Sequence, residues 1–120
     1  MAQHEATLTT SEAAERLRAL PGWQLEETSI RRMYKTDGWP TTLMLVNAIG
    51  YLCEAADHHP DLAVGYSRVT VTLSTHSAGG VTAKDVELAR RIDDVVLWRP
   101  PAGGALTGTP AEFVRGAEPR

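Results

Sequence analysis

A single cysteine, Cys53, in 120 residues rules out an internal disulfide, so a reducing compartment is expected. No apolar run approaches the roughly 20 residues that a membrane-spanning helix needs. The opening residues, 1–10, lack the basic-then-apolar layout of a secretory signal, and a cytoplasmic, soluble protein is the expectation. There is no basic excess either. The formal net charge is −3, which gives no electrostatic reason to expect nucleic acid or an anionic membrane as a partner. Internal repeats are missing, as are the H-x-x-x-H and C-x-x-C pairs that mark many metal sites. What remains is an ordinary globular composition, 42% hydrophobic and 22% charged, at a length suited to one core.

Thr9-Thr10-Ser11-Glu12 has the form of a capping box and predicts a first helix over 10–20, stopped by Pro21-Gly22. Two short strands, 23–26 and 30–35, flank a turn at Glu27-Thr28-Ser29. Pro40 suits the first turn of a long helix running to Asp57. Leu43, Val46, Ile49 and Cys53 lie on one side of it, while Leu45, Ala48, Leu52 and Ala55 widen its apolar surface beyond one stripe. Such a helix is covered either by its own sheet and another subunit, or entirely within the chain. Strands follow over 62–66 and 68–75, then a turn at Ser77-Ala78-Gly79-Gly80. A last helix opens at Thr82-Ala83-Lys84-Asp85 with a core stripe of Val86, Ala89, Ile92 and Val96. The order α-β-β-α-β-β-α predicts an α+β fold, an antiparallel sheet with helices on one face. Beyond Trp98 the chain is rich in proline and glycine and reads as an extended tail, with one helical turn over 111–116.

Three of the four histidines, His58, His59 and His76, fall in the stretch from Glu54 to His76. His58 and His59 end the long helix just before Pro60, because the residue before proline is driven out of helical geometry. His76 closes the alternating run Val69 to Thr75, sharing a face with Thr70, Thr72 and Ser74. Imidazoles exchange protons near neutrality, so a helix end and a strand end meeting at one rim would make an acid/base pocket. Glu54 lies four residues before His58, the spacing at which a carboxylate orients an imidazole on a helix. On the residues alone two other readings stay open: histidines that merely end elements, and a metal site, against which the diverging directions of His58 and His59 argue. Cys53, with no basic activator near it in sequence, reads as a buried inert thiol.

Glu54-x-x-x-His58-His59-Pro60, then Tyr66 after five residues, His76 after nine more and Asp85 after eight, resembles the signature of the pterin-4a-carbinolamine dehydratases. The resemblance runs from Pro21-Gly22-Trp23 to about Val96. It implies a four-stranded antiparallel sheet with three helices on one face, a pterin dehydratase-like domain over 1–98, and a tail over 99–120. It also implies dimers formed by pairing sheets, and tetramers formed through helix packing. The implied reaction is dehydration of 4a-hydroxytetrahydropterin to quinonoid dihydropterin, with no metal or organic cofactor. By motif position, His58 and His76 resemble the acid/base pair and His59 the residue that places the pterin. Glu54 and Asp57 would orient histidines, Ser74 and Thr75 would contact the ring, and Trp23 and Asp85 would line the pocket. The strand Arg31-Arg32-Met33-Tyr34, the lead-in Asp37-Gly38-Trp39-Pro40 and the tail depart from the usual pattern. Dehydratase-like proteins also serve as binding modules, among them a transcription-factor dimerisation cofactor in animals and a RuBisCO assembly factor of carboxysomes. A RuBisCO-assisting binding module is therefore the alternative expectation.

Overall fold

The computed structural model describes residues 6–116. Helix α1 (Thr10–Leu17) is opened by the predicted capping box: the Thr9 hydroxyl accepts from Glu12 N–H at 3.0 Å, and Glu12 Oε1 accepts from Thr9 N–H at 2.8 Å. It ends earlier than position 20, because residues 18–20 tighten into i→i−3 hydrogen bonds before Pro21. Gly22 then turns the chain with φ +105°, and a Cβ there would sit 2.5 Å from the Arg32 guanidinium carbon, so only glycine fits.

Strands β1 (Gln24–Leu25), β2 (Ile30–Thr36), β3 (Asp61–Gly65) and β4 (Arg68–Leu73) form an antiparallel sheet in the order β1-β2-β4-β3. The register pairs Ile30 with Leu73, Tyr34 with Val69 and Leu62 with Val71. It puts Ile30, Tyr34, Val69, Val71 and Leu73 on the buried face, while Arg31 and Lys35 alternate to the exposed one. Helices α2 (Trp39–Ala56) and α3 (Ala83–Val96) complete the core with Leu45, Ile49 and Cys53 from one and Val86, Ala89 and Ile92 from the other. The fold is α+β, as the element order predicts. No helix among the described residues is long and apolar enough to cross a membrane.

Three expectations need correction. On α2 the buried stripe is Thr42, Leu45, Ile49 and Cys53, not the side carrying Leu43, and Met44 and Tyr51 are 58% and 74% exposed. Complete burial of α2 inside this chain is therefore excluded. His76 does not close β4, which stops at Leu73; it opens a 3-10 turn, His76–Ala78, after a Thr75–Gly80 bridge. Residues 111–116 form no helical turn. Instead a fifth strand, β5 (Val114–Gly116), pairs with β2 at Thr36, Lys35 and Tyr34. The two-residue β1 covers only the start of β2, so its far half has unpaired amides. Pairing them outweighs a single helical turn, whose nucleation is unfavourable. Val114 is buried, and the Arg99 guanidinium lies over the Phe113 ring at 4.7 Å.

Candidate functional site

Helix α2 ends at Asp57, whose φ of 54° is the one positive value at a non-glycine residue among those described. Aspartate tolerates the left-handed region better than most side chains. Its N–H bonds back to the carbonyls of Cys53 and Glu54, and His58 N–H also bonds the Cys53 carbonyl at 3.1 Å. This reversal turns His58 away from the helix axis and toward α3. Asp57 thus works as the turn that aims the two histidines, with its side chain exposed.

The His58 Nε2–H donates to Asp85 Oδ1 at 2.6 Å. Asp85 is the third residue of α3 and fully buried, 0% exposed. Its Oδ2 accepts from Thr82 N–H and from the Thr75 hydroxyl, each at 2.8 Å. The carboxylate is therefore met by three donors from three elements, as a buried charge requires. Since an ionised carboxylate only accepts, His58 presents a protonated Nε2 to it, which in the neutral imidazole puts the lone pair on Nδ1. Having no exposed surface, Asp85 orients His58 and does not line a pocket.

Glu54 does not orient His58. Its Oε1 meets His59 Nε2 at 2.8 Å, and both side chains are mostly in solvent. The i, i+4 relation with His58 is lost because the helix ends before the second residue is reached. His76 is exposed and follows Thr75 directly, so two hydrogen bonds, Thr75 to Asp85 and Asp85 to His58, tie its turn to the end of α2. The Ser74 hydroxyl donates to the Thr28 carbonyl at 2.6 Å and so fixes the β1–β2 turn beside this rim. A hollow of about 570 Å³ between α2 and α3 has His58 in its wall with Ala55, Ala56, Lys84 and Leu88; His59 and His76 are not in its lining.

Trp23 stands apart. Its indole N–H donates to Asp93 Oδ2 at 3.2 Å, two turns further along α3 than Asp85 and about 12 Å away by helical rise. Arg32 Nη1 reaches the same oxygen at 3.2 Å and the Pro21 carbonyl at 2.8 Å, while the Tyr34 hydroxyl donates to Asp93 Oδ1. Burial, then the Asp93 charge, pushes the Tyr34 phenol far above its usual range. Burial also pushes the Cys53 thiol up to about 11, in keeping with an inert thiol.

The sequence profile described as pterin 4 alpha carbinolamine dehydratase matches residues 6–95. The chain belongs to the pterin-4a-carbinolamine dehydratase family. A relative from Aquifex aeolicus (strain VF5), whose name as a pterin-4-alpha-carbinolamine dehydratase is itself provisional, is 44% identical over 89 residues, 74% of this chain and 90% of its own. A similarly named protein of Streptomyces coelicolor is 44% identical over 73% of this chain and 88% of its own. Among solved structures, a transcriptional coactivator/pterin dehydratase from Brucella melitensis is 40% identical, with a TM-score of 0.68, covering 72% of this chain and 95% of its own. A pterin dehydratase-like protein described as a RuBisCO assembly factor of the α-carboxysome reaches only 21% identity and a TM-score of 0.49, too little to carry an argument. Against the family's extent, strand β5 and the tail before it lie beyond the matched residues.

Thr82 is the site residue that the sequence reading passed over. It was visible only as a helix opener, although T-x-x-D is itself the signal of a reciprocal cap, and that cap fixes Asp85.

Proposed function

We propose that this family member dehydrates 4a-hydroxytetrahydropterin to quinonoid dihydropterin by histidine acid/base catalysis. One proton goes to the C4a hydroxyl, the C–O bond breaks and water leaves. A ring nitrogen gives up its proton, and that electron pair completes the new double bond. His58, with its lone pair on Nδ1, takes the ring-nitrogen proton, and His76 across the rim delivers the proton to the hydroxyl. His59, backed by Glu54 in solvent, places the pterin, and Ser74 borders it. The observation that carries this reading is the Asp85–His58 pair: a fully buried carboxylate gives one of its oxygens to a mostly buried imidazole that stands in the wall of the hollow between α2 and α3.

The exposed Leu43, Met44 and Tyr51 of α2 suit packing against a second copy, in line with a homodimer or homotetramer. The unpaired, buried Cys53 suits the reducing cytoplasm.

A direct assay of carbinolamine dehydration tests the reading. The purified protein is expected to accelerate the reaction, and His58→Ala or His76→Ala to lose about 10²–10⁴-fold in rate. Wild-type protein that leaves the uncatalysed rate unchanged would refute the enzyme reading and leave a pterin dehydratase-like binding module.

A further inference from the structure

Thr75 occupies an unusual position. It directly precedes His76, yet its own side chain is turned inward and almost fully buried. Its hydroxyl contacts Asp85 Oδ2 and Thr82 Oγ1, both at 2.8 Å. A hydroxyl has one proton, and an ionised carboxylate can only accept, so the Thr75 proton goes to Asp85. The Thr82 proton must then go to Thr75 Oγ1, while Thr82 Oγ1 accepts Lys84 N–H at 3.2 Å. The result is a one-way chain, Thr82 to Thr75 to Asp85, that ends at the carboxylate whose other oxygen accepts the His58 Nε2–H hydrogen bond.

The same residue anchors the turn that bears His76. Thr75 N–H donates to the Gly80 carbonyl at 2.9 Å, and the Thr75 carbonyl accepts from Ala78 N–H at 3.0 Å and Gly79 N–H at 2.9 Å. One residue thus holds the His76 turn through its backbone and the His58 partner through its side chain.

We infer that Thr75, supported by Thr82, is a positioning residue that sets the tautomer of His58 and its place relative to His76, and not a residue that contacts the pterin ring. The inference deepens the dehydratase reading and rests on it for its kinetic part; its spectroscopic part stands without any turnover. With the Thr75 hydroxyl present, Asp85 Oδ2 is occupied and the carboxylate plane is fixed, so Oδ1 faces His58 Nε2–H. Without it, Oδ2 is held by the Thr82 N–H alone, the carboxylate is less firmly fixed, and its hold on the Nε2–H tautomer of His58 weakens. A hydroxyl used this way affects the chemical step and leaves substrate affinity alone.

Long-range ¹H–¹⁵N NMR of the full chain reports the tautomer of each histidine. In wild type, His58 is expected as the Nε2–H form, with that proton shielded from exchange. Thr75→Val, which removes the hydroxyl at nearly constant volume, is expected to give a tautomer mixture at His58 and about tenfold lower kcat with KM unchanged, whereas Thr75→Ser restores both. Two results would overturn the inference: a wild-type His58 protonated on Nδ1, or Thr75→Val raising KM while the tautomer stays put. The wild-type spectrum decides the matter even if Thr75→Val does not fold. If no form of the protein turns over while the spectra behave as expected, the dehydratase reading fails and the positioning role of Thr75 stands.

Discussion

Helix α3 carries two inward-facing carboxylates eight residues apart, and each collects three donors. Asp85, near its start, is met by Thr82 N–H, the Thr75 hydroxyl and the His58 imidazole. Asp93, near its end, is met by the Trp23 indole, the Arg32 guanidinium and the Tyr34 phenol. As hydrogen-bonded sites the two look alike. They differ in what the partners can do. Arginine, tryptophan and a phenol held far above its ordinary range exchange no protons near neutrality, so the Asp93 cluster is a clamp that fastens α3 to β2 and to the turn before β1. An imidazole does exchange protons, and keeps a second nitrogen for other work. On the proposed reading, a buried carboxylate serves the site only where an imidazole leans on it.

The comparison predicts opposite signatures. Asp85→Asn turns an NH₂ donor toward His58 and favours the other tautomer. Turnover is expected to fall by at least about 10²-fold, with the fold retained by circular dichroism. Asp93→Asn leaves Arg32 as a poorly paired buried cation. A loss of about 3–5 kcal/mol in urea unfolding is expected, with turnover per folded molecule unchanged. A catalytic defect in the folded Asp93→Asn protein would erase the distinction between site and clamp.

Tyr34→Phe is the smallest change and sharpens the clamp side. At neutral pH it is expected to cost about 1–3 kcal/mol, because Asp93 loses a buried donor. At alkaline pH its effect reverses in slope. The folded state favours the neutral phenol, so the Tyr34 contribution is complete below about pH 10 and falls above it, where the tyrosine of the unfolded chain ionises first. The raised thiol of Cys53 adds to the same alkaline loss. Denaturant midpoints measured from pH 8 to 11 should fall less steeply for Tyr34→Phe than for wild type.

Much of the fold was legible because its signals are local. The capping box at Thr9–Glu12, the helix opening at Thr82, the alternation from Val69 to Leu73 and the breakers at Pro21-Gly22 and Pro40 all act within a few residues of themselves. The errors arose where distant segments compete. Strand β5 depends on an unpaired edge of β2 some eighty residues earlier, which no local pattern can announce. The pairing of Glu54 with His59 instead of His58 goes with a left-handed Asp57, a backbone conformation that residue spacing does not announce. At the candidate site the histidines and Asp85 were visible as residue types at fixed gaps, but the inward turn of Thr75 and the removal of Trp23 to another cluster were not.

By itself the sequence determined the order of helices and strands, the family signature and the histidine set, since periodicity, caps and spacing are carried by neighbouring residues. Only the tertiary structure decided which carboxylate holds which imidazole. That choice turns on the direction of each side chain across packed elements, and on the requirement that every buried charge find its donors.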